Sequence, residues 1–124
     1  MHWIVDGMNV IGSRPDGWWR DRHGAMAKLV KRLERWAAAE EVDVTVVFER
    51  PPSPPIESTA VTVAHAPVGG RNSADDEIVR LIAAGPHPEQ VRVATSDLAL
   101  AERVRSLNAS VWPAERFRQL IEPR

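Results

Sequence analysis

Four acids in this chain fall where chemistry could use them. Asp6 follows the short apolar run Trp3-Ile4-Val5, Asp75 and Asp76 open a stretch with helical spacing, and Asp97 closes Val93-Ala94-Thr95-Ser96. Carboxylates that meet at one spot repel one another unless they are protonated or neutralised by a cation. The sequence has no cysteine, and its histidines are His2, His23, His65 and His87, so the ligands on offer are oxygens. Oxygen ligation selects a hard cation, Mg²⁺ or Mn²⁺, rather than zinc. Such a cation can activate water as a nucleophile and stabilise the leaving oxygen of a phosphodiester.

Each acid also has a plain structural role to be weighed against that chemistry. Asp6, directly before Gly7, suits a turn, and Asp97 suits the N-cap of a following helix. Asp76 lies three residues after Ser73, the spacing of a capping box. Asp75 precedes Ile78, Val79 and Ile82 by three, four and seven residues and shares their apolar face, where an unpaired acid is costly. Asp75 is therefore favoured as a ligand, with Asp76 kept as the alternative. Asn9 is either a turn asparagine or a group that holds a phosphate oxygen or orients Asp6. Ser96 either starts a helix or bonds Asp97 or a water on the cation. Glu49 reads as an outer acid or as an exposed loop residue.

The elements that must carry these residues alternate along the chain. Apolar runs at Trp3–Val5, Val42–Phe48, Thr59–Ala64, Val91–Ala94 and Ala109–Trp112 predict five strands. Met26, Leu29, Val30, Leu33, Trp36 and Ala37 share one helical face from about Gly24, and Gly7 to His23 reads as a loop. Arg50–Ser58, with four prolines, and Ala66–Asn72, with Gly69-Gly70, read as loops. A helix capped by Ser73 should end at Gly85-Pro86, a second should span Asp97–Leu107, and Pro113 should open a last one reaching about Ile121. Strands alternating with helices predict a three-layer α/β/α domain with a parallel sheet, one domain over residues 1–124. Ligands of such sheets bind beyond the carboxyl ends of the strands. If strands one and four are neighbours, Asp6, Asp97 and one of Asp75 and Asp76 converge there.

Composition narrows the function classes. The 124 residues carry 16 Lys+Arg against 17 Asp+Glu, a formal charge of −1, which argues against a strongly basic nucleic-acid coat but leaves room for a local basic face. Between Arg14 and Arg35, seven basic residues stand against three acids. There Arg14, Trp18, Trp19 and Arg20 resemble a surface for single strands, guanidinium for phosphate and indole for stacked bases. Arg71 and Asn72 could also reach a phosphate backbone. No apolar run is long enough to span a bilayer, and the N-terminus has no basic segment before an apolar one, so a cytoplasmic location is expected. Five tryptophans and no tyrosine place some indoles near a surface or a site.

Three stretches resemble a known family. Asp6-Gly7-Met8-Asn9-Val10-Ile11-Gly12 is similar to the opening motif of the YacP-like NYN domains of the PIN-like nuclease superfamily. Ser73-Ala74-Asp75-Asp76-Glu77-Ile78 resembles that family's Ala-Asp-x-x-Ile helix start, and Val93-Ala94-Thr95-Ser96-Asp97 its strand running into Thr-Ser-Asp. The resemblance implies a PIN-like fold with a five-stranded parallel sheet in the order 3-2-1-4-5, and Mg²⁺- or Mn²⁺-dependent endoribonuclease activity. Carried over, Asp6, Asp75 and Asp97 are metal ligands and catalytic residues, and Asn9 contacts substrate or supports the ligands. Members are also associated with ribosome-linked RNA decay. Glu49 departs from the family, which usually has Asp at the end of strand two, and the proline-rich segment after it replaces what is often a Gly-bearing loop.

The reading is a nuclease that cuts single-stranded RNA with a metal-activated water, leaving a 5′-phosphate and a 3′-hydroxyl, as a monomer or weak homodimer. Its rival is a non-catalytic RNA-binding or adaptor domain of the same fold. A phosphohydrolase of the haloacid-dehalogenase kind would need a second acid two residues after Asp6, and Met8 stands there.

Overall fold

The computed structural model describes residues 1–67 and 73–123. Five strands, β1 (His2–Asp6), β2 (Asp43–Phe48), β3 (Thr62–His65), β4 (Val91–Ala94) and β5 (Ser110–Trp112), form one parallel sheet in the order β3-β2-β1-β4-β5. Five helices connect and cover them: α1 (Gly7–Ile11), α2 (Arg22–Glu40), α3 (Ser73–Ala84), α4 (Leu98–Ser106) and α5 (Ala114–Ile121). The mixed α/β architecture, the parallel pairing and the strand order are those expected.

Alternation along each strand divides the core in two. Trp3 and Val5 of β1 and Val44, Val46 and Phe48 of β2 face α2 and α5, meeting Leu29, Val30, Leu33 and Phe117. Ile4 and Val47 face the other way, against Ile78 and Ile82 of α3 and Leu100 and Val104 of α4. A strand buried on both faces must read as a continuous apolar run, which is why β1 and β2 do. Trp3, Trp36, Trp112 and Phe117 meet within one layer at ring separations of 5.1–5.7 Å. Four of the five indoles, Trp3, Trp18, Trp36 and Trp112, thus pack in or against the core, and Trp19 is the half-exposed one.

Several boundaries differ from the sequence reading. The segment after Asp6 is a helical turn rather than loop, because Val10 and Ile11 bury against the α2 layer. Helix α2 starts at Arg22, capped by Asp21, whose Oδ1 accepts from Gly24 N at 2.9 Å. Strand β3 is shorter than expected, and Val61 is buried before it begins. The Ser73 side chain, Arg71, Asn72 and the Gly69-Gly70 turn lie outside the described residues.

Glycine is required where α1 leaves β1. A Cβ on Gly7 would stand 2.6 Å from Phe48 Cε1 and 3.2 Å from Val46 Cγ2, and the Phe48 ring is fully buried. Gly7→Ala should therefore destabilise the protein by about 1–3 kcal/mol through overpacking. Urea unfolding checks this, and an unchanged midpoint would show that the ring moves aside freely.

Candidate active site

Asp6 ends the central strand with its side chain buried, 7% exposed. The register pairs Val5 with Ala94, so the next residues, Asp6 and Thr95, lie side by side. Thr95 Oγ1 donates to Asp6 Oδ2 at 2.8 Å and accepts from Asp97 N at 3.2 Å. Thr95 is itself buried, and its backbone N–H donates to Trp112 O at 3.0 Å, which ties the site to β5. One hydroxyl therefore sets both the Asp6 carboxylate and the turn that delivers Asp97.

The other expected residues gather around this pair with different fates. Asp97 caps α4, its Oδ1 accepting from Leu100 N at 3.0 Å. Asn9 reaches across from α1, and its Oδ1 accepts from Ser96 N at 2.8 Å. It orients the β4–α4 turn instead of touching Asp6, a long-range bond with no local signature in the sequence. The Ser96 hydroxyl accepts from Ala114 N at 2.8 Å and so anchors the start of α5 instead of bonding Asp97. Asp75, at the start of α3, faces the same edge and is partly buried. Asp76 points outward and accepts from Arg103 Nη1 at 2.9 Å, locking α3 to α4. Asp76 is thus exposed and ion-paired, whereas Asp75 is the one of the two that is partly buried.

The electrostatics show that the acids feel one another. The Asp6 carboxyl is pushed up to about 7, chiefly by burial, with Asp75, Asp97 and Glu49 adding to the rise and the Thr95 hydroxyl opposing it. Asp75 is raised as well, first by burial and then by Asp97, with Arg103 opposing and Asp76 and Glu49 adding. Glu49, at the end of β2, thus belongs to the same field of negative charge. Even so, among the described residues no three Asp, Glu or His side chains close on a single point as a preformed metal cage. The hydrogen bonds above explain this: the Asp6 and Asp97 carboxylates are each already held by a partner of their own. The donor set still fits Mg²⁺ or Mn²⁺, because Mg²⁺ is usually held by one or two carboxylates with waters and substrate phosphates filling the remaining positions.

The proposed RNA surface is only partly as expected. Arg14 pairs with Glu122 beyond α5, and Arg118 donates to Ile11 O at 2.8 Å and to Asp16. Arg14 is a tie between distant ends of the chain rather than a free phosphate ligand. Trp18 packs partly on the core and meets Trp19 edge-on at 6.0 Å, while Arg22 lies over the Trp18 ring at 5.2 Å. Trp19 and Arg20 are exposed. A cavity of about 320 Å³ between α1, α2 and α5, lined by Lys28, Arg32 and Arg118, lies apart from the acids.

The family profile for the YacP-like NYN domain matches residues 3–123. This chain belongs to that family. No curated protein matches it significantly. Two crystal structures of Rae1 (YacP) from Bacillus subtilis resemble it. One is the W164L mutant, with TM-score 0.78 and 24% identity, covering 97% of this chain and 74% of that one. The second gives TM-score 0.79 and 23% identity over 97% and 73%. At that identity the likeness concerns the fold alone. The YacP-like domain thus carries its acids at the carboxyl edge of the sheet, where ligands of open α/β sheets bind. Among the described residues no helix is long and apolar enough to cross a membrane.

A stability test follows from Asp6. Its carboxyl holds a proton more tightly in the folded than in the unfolded chain, so stability falls as pH rises from about 4 to about 7 and stays reduced above that. Asp6→Asn keeps an oxygen for Thr95 and removes the ionisation. It should stabilise the protein at about pH 8 in chelator by roughly 2–4 kcal/mol and leave stability near pH 4 almost unchanged. Urea titrations at the two pH values check it; equal effects at both would contradict the buried-charge account.

Proposed function

We propose that this YacP-like NYN domain is a Mg²⁺- or Mn²⁺-dependent endoribonuclease acting on single-stranded RNA. The observation that supports this most is the buried Asp6 carboxylate, raised first by its burial and further by the neighbouring acids Asp75, Asp97 and Glu49 at one sheet edge. A fold gains nothing in stability from such a cluster, and an anionic substrate could not approach it unless a cation intervened. Asp6 and Asp75 are the residues that would hold the cation, with the Asp97 oxygen not used in capping α4 as a further donor. When bound, a divalent ion activates water and stabilises the leaving oxygen of the phosphodiester.

The chain's own residues do the positioning. Thr95 fixes one oxygen of Asp6, and Asn9 fixes the turn carrying Asp97, so the carboxylates meet a ligand without first being ordered. Trp19 and Arg20 offer an exposed indole and a guanidinium to a passing strand. The described histidines bond elsewhere, His2 to Thr45, His23 to Pro54 O, His65 to Ala66 O and His87 to Glu89, and none bonds one of the four acids. The expected products are a 5′-phosphate and a 3′-hydroxyl.

A second reading is favoured by the open arrangement of the acids, with no three of them closing on one point among the described residues. It is an RNA-binding adaptor of the same fold. Cleavage of a labelled single-stranded RNA in Mn²⁺, in Mg²⁺ and in chelator separates the two. The nuclease should cut only with metal. Asp6→Asn and Asp97→Asn should each lower the rate by at least about a hundredfold while remaining folded, since asparagine is itself a good N-cap for α4. RNA that is bound but uncut under every condition would favour the adaptor, and variants that cut at the parent rate would remove the mechanism.

A further inference from the structure

Next to the acid edge, on the α2 side of the sheet, a cavity of about 470 Å³ opens between α1, α2, the end of β2 and the proline-rich loop. That volume lies within the range of small-ligand clefts. Its apolar lining comes from Met8, Met26, Phe48 and Pro52. Arg22 and Arg50 stand at it as exposed cations. Neither is in an ion pair among the described residues, whereas Arg14, Arg80, Arg103 and Arg118 are. Arg22 is held in place by the Trp18 ring, 5.2 Å from its guanidinium carbon. His23 Nε2 donates to Pro54 O at 2.8 Å, which pins the proline-rich loop to α2 and fixes the cavity's outer wall.

We infer that this cavity is a nucleotide subsite: the base enters the apolar slot between Met8, Met26 and Pro52, and Arg22 and Arg50 take the attached phosphate. An apolar hollow flanked by unpaired guanidinium groups matches a ligand with a flat apolar body and an anionic tail. Methionine thioethers also make favourable contacts with aromatic rings. Met8 lies two residues after Asp6, and Glu49 also lines the cavity, so its mouth adjoins the acids. This assignment rests on the nuclease reading for its purpose, since it receives the nucleotide next to the bond to be cut. It also gives the proline-rich segment a role that a glycine-bearing loop could not fill, because proline supplies a rigid apolar wall.

The chain's three methionines make the test direct. With ¹³C-methyl methionine, adenosine or uridine 5′-monophosphate added in chelator should shift the Met8 and Met26 methyl signals saturably. Met1, which lines a different cavity with Leu81 and Pro86, should not move. Ribose 5-phosphate should leave all three signals in place. Arg22→Gln should weaken mononucleotide binding by about fivefold or more, the scale of a lost charge-assisted hydrogen bond. Unmoved Met8 and Met26 signals, an equal response to ribose 5-phosphate, an equal shift at Met1, or unchanged affinity in Arg22→Gln would each overturn the assignment. Because the readout needs no metal and no turnover, it is separable from the nuclease reading. RNA left uncut in Mn²⁺ with the methyl shifts present sinks that reading, whereas metal-dependent cutting with unmoved methyls sinks the subsite alone.

Discussion

The hydrogen bond from Thr95 Oγ1 to Asp6 Oδ2 joins residues 89 apart in the chain and determines what the carboxyl edge of the sheet can be. It exists because β1 lies centrally, with β2 on one side and β4 on the other. At that point the chain leaves in opposite directions, α1 and α2 toward one face and α4 toward the other, and a crevice opens between them. The same hydroxyl accepts from Asp97 N, and Asn9 receives Ser96 N from the α1 side. Three polar side chains thus hold two strand ends and one helix start in fixed relation. The apolar clusters on the two faces keep the sheet rigid enough for those bonds to persist.

Much of this was legible because the signals are local. A buried parallel strand must be a short apolar run, so β1, β2 and β4 and the acids that end them could be read directly. Helical spacing separated Asp75 from Asp76, and in the structure Asp75 is partly buried near Asp97 whereas Asp76 is exposed and pairs with Arg103. What escaped has physical causes as well. Helix α1 is five residues long, too short for periodicity to show, and it forms because Val10 and Ile11 find a buried surface supplied by distant helices. Asn9 and Ser96, each weighed between a turn or helix-start role and a contact with substrate or a neighbouring acid, accept a backbone N–H from another element. Such bonds depend on tertiary placement and leave no pattern in the sequence.

The basic residues show the same limit. The cluster from Arg14 to Arg35 reads as one surface along the chain, but the fold disperses it. Arg14 is used to tie the segment after α1 to the end of α5, and Asp16 is used by Arg118 of α5 in the reverse sense. These two ion pairs tie the segment between α1 and α2 to α5 and the residue just after it. Of that cluster's basic residues only Arg14 is in an ion pair among the described residues, and Arg22 stands with Arg50 at one cavity.

The way polar groups are satisfied bears on why the Asp6 carboxyl is raised. Among the described residues no buried side-chain nitrogen or oxygen lacks a partner. The Asp6 carboxylate is therefore not raised for want of a donor; Thr95 already donates to it, and that bond acts against the rise. What remains is burial and the charge of three further acids, and a neutral donor removes neither. Added positive charge or a proton would offset that charge directly, which is the basis on which a divalent cation is proposed for this edge. The closed hydrogen-bond network and the unrelieved charge are consequently two parts of one arrangement: Thr95 and Asn9 fix the strand ends and the turn, and in that fixed geometry Asp75, Asp97 and Glu49 act on the buried Asp6 carboxyl.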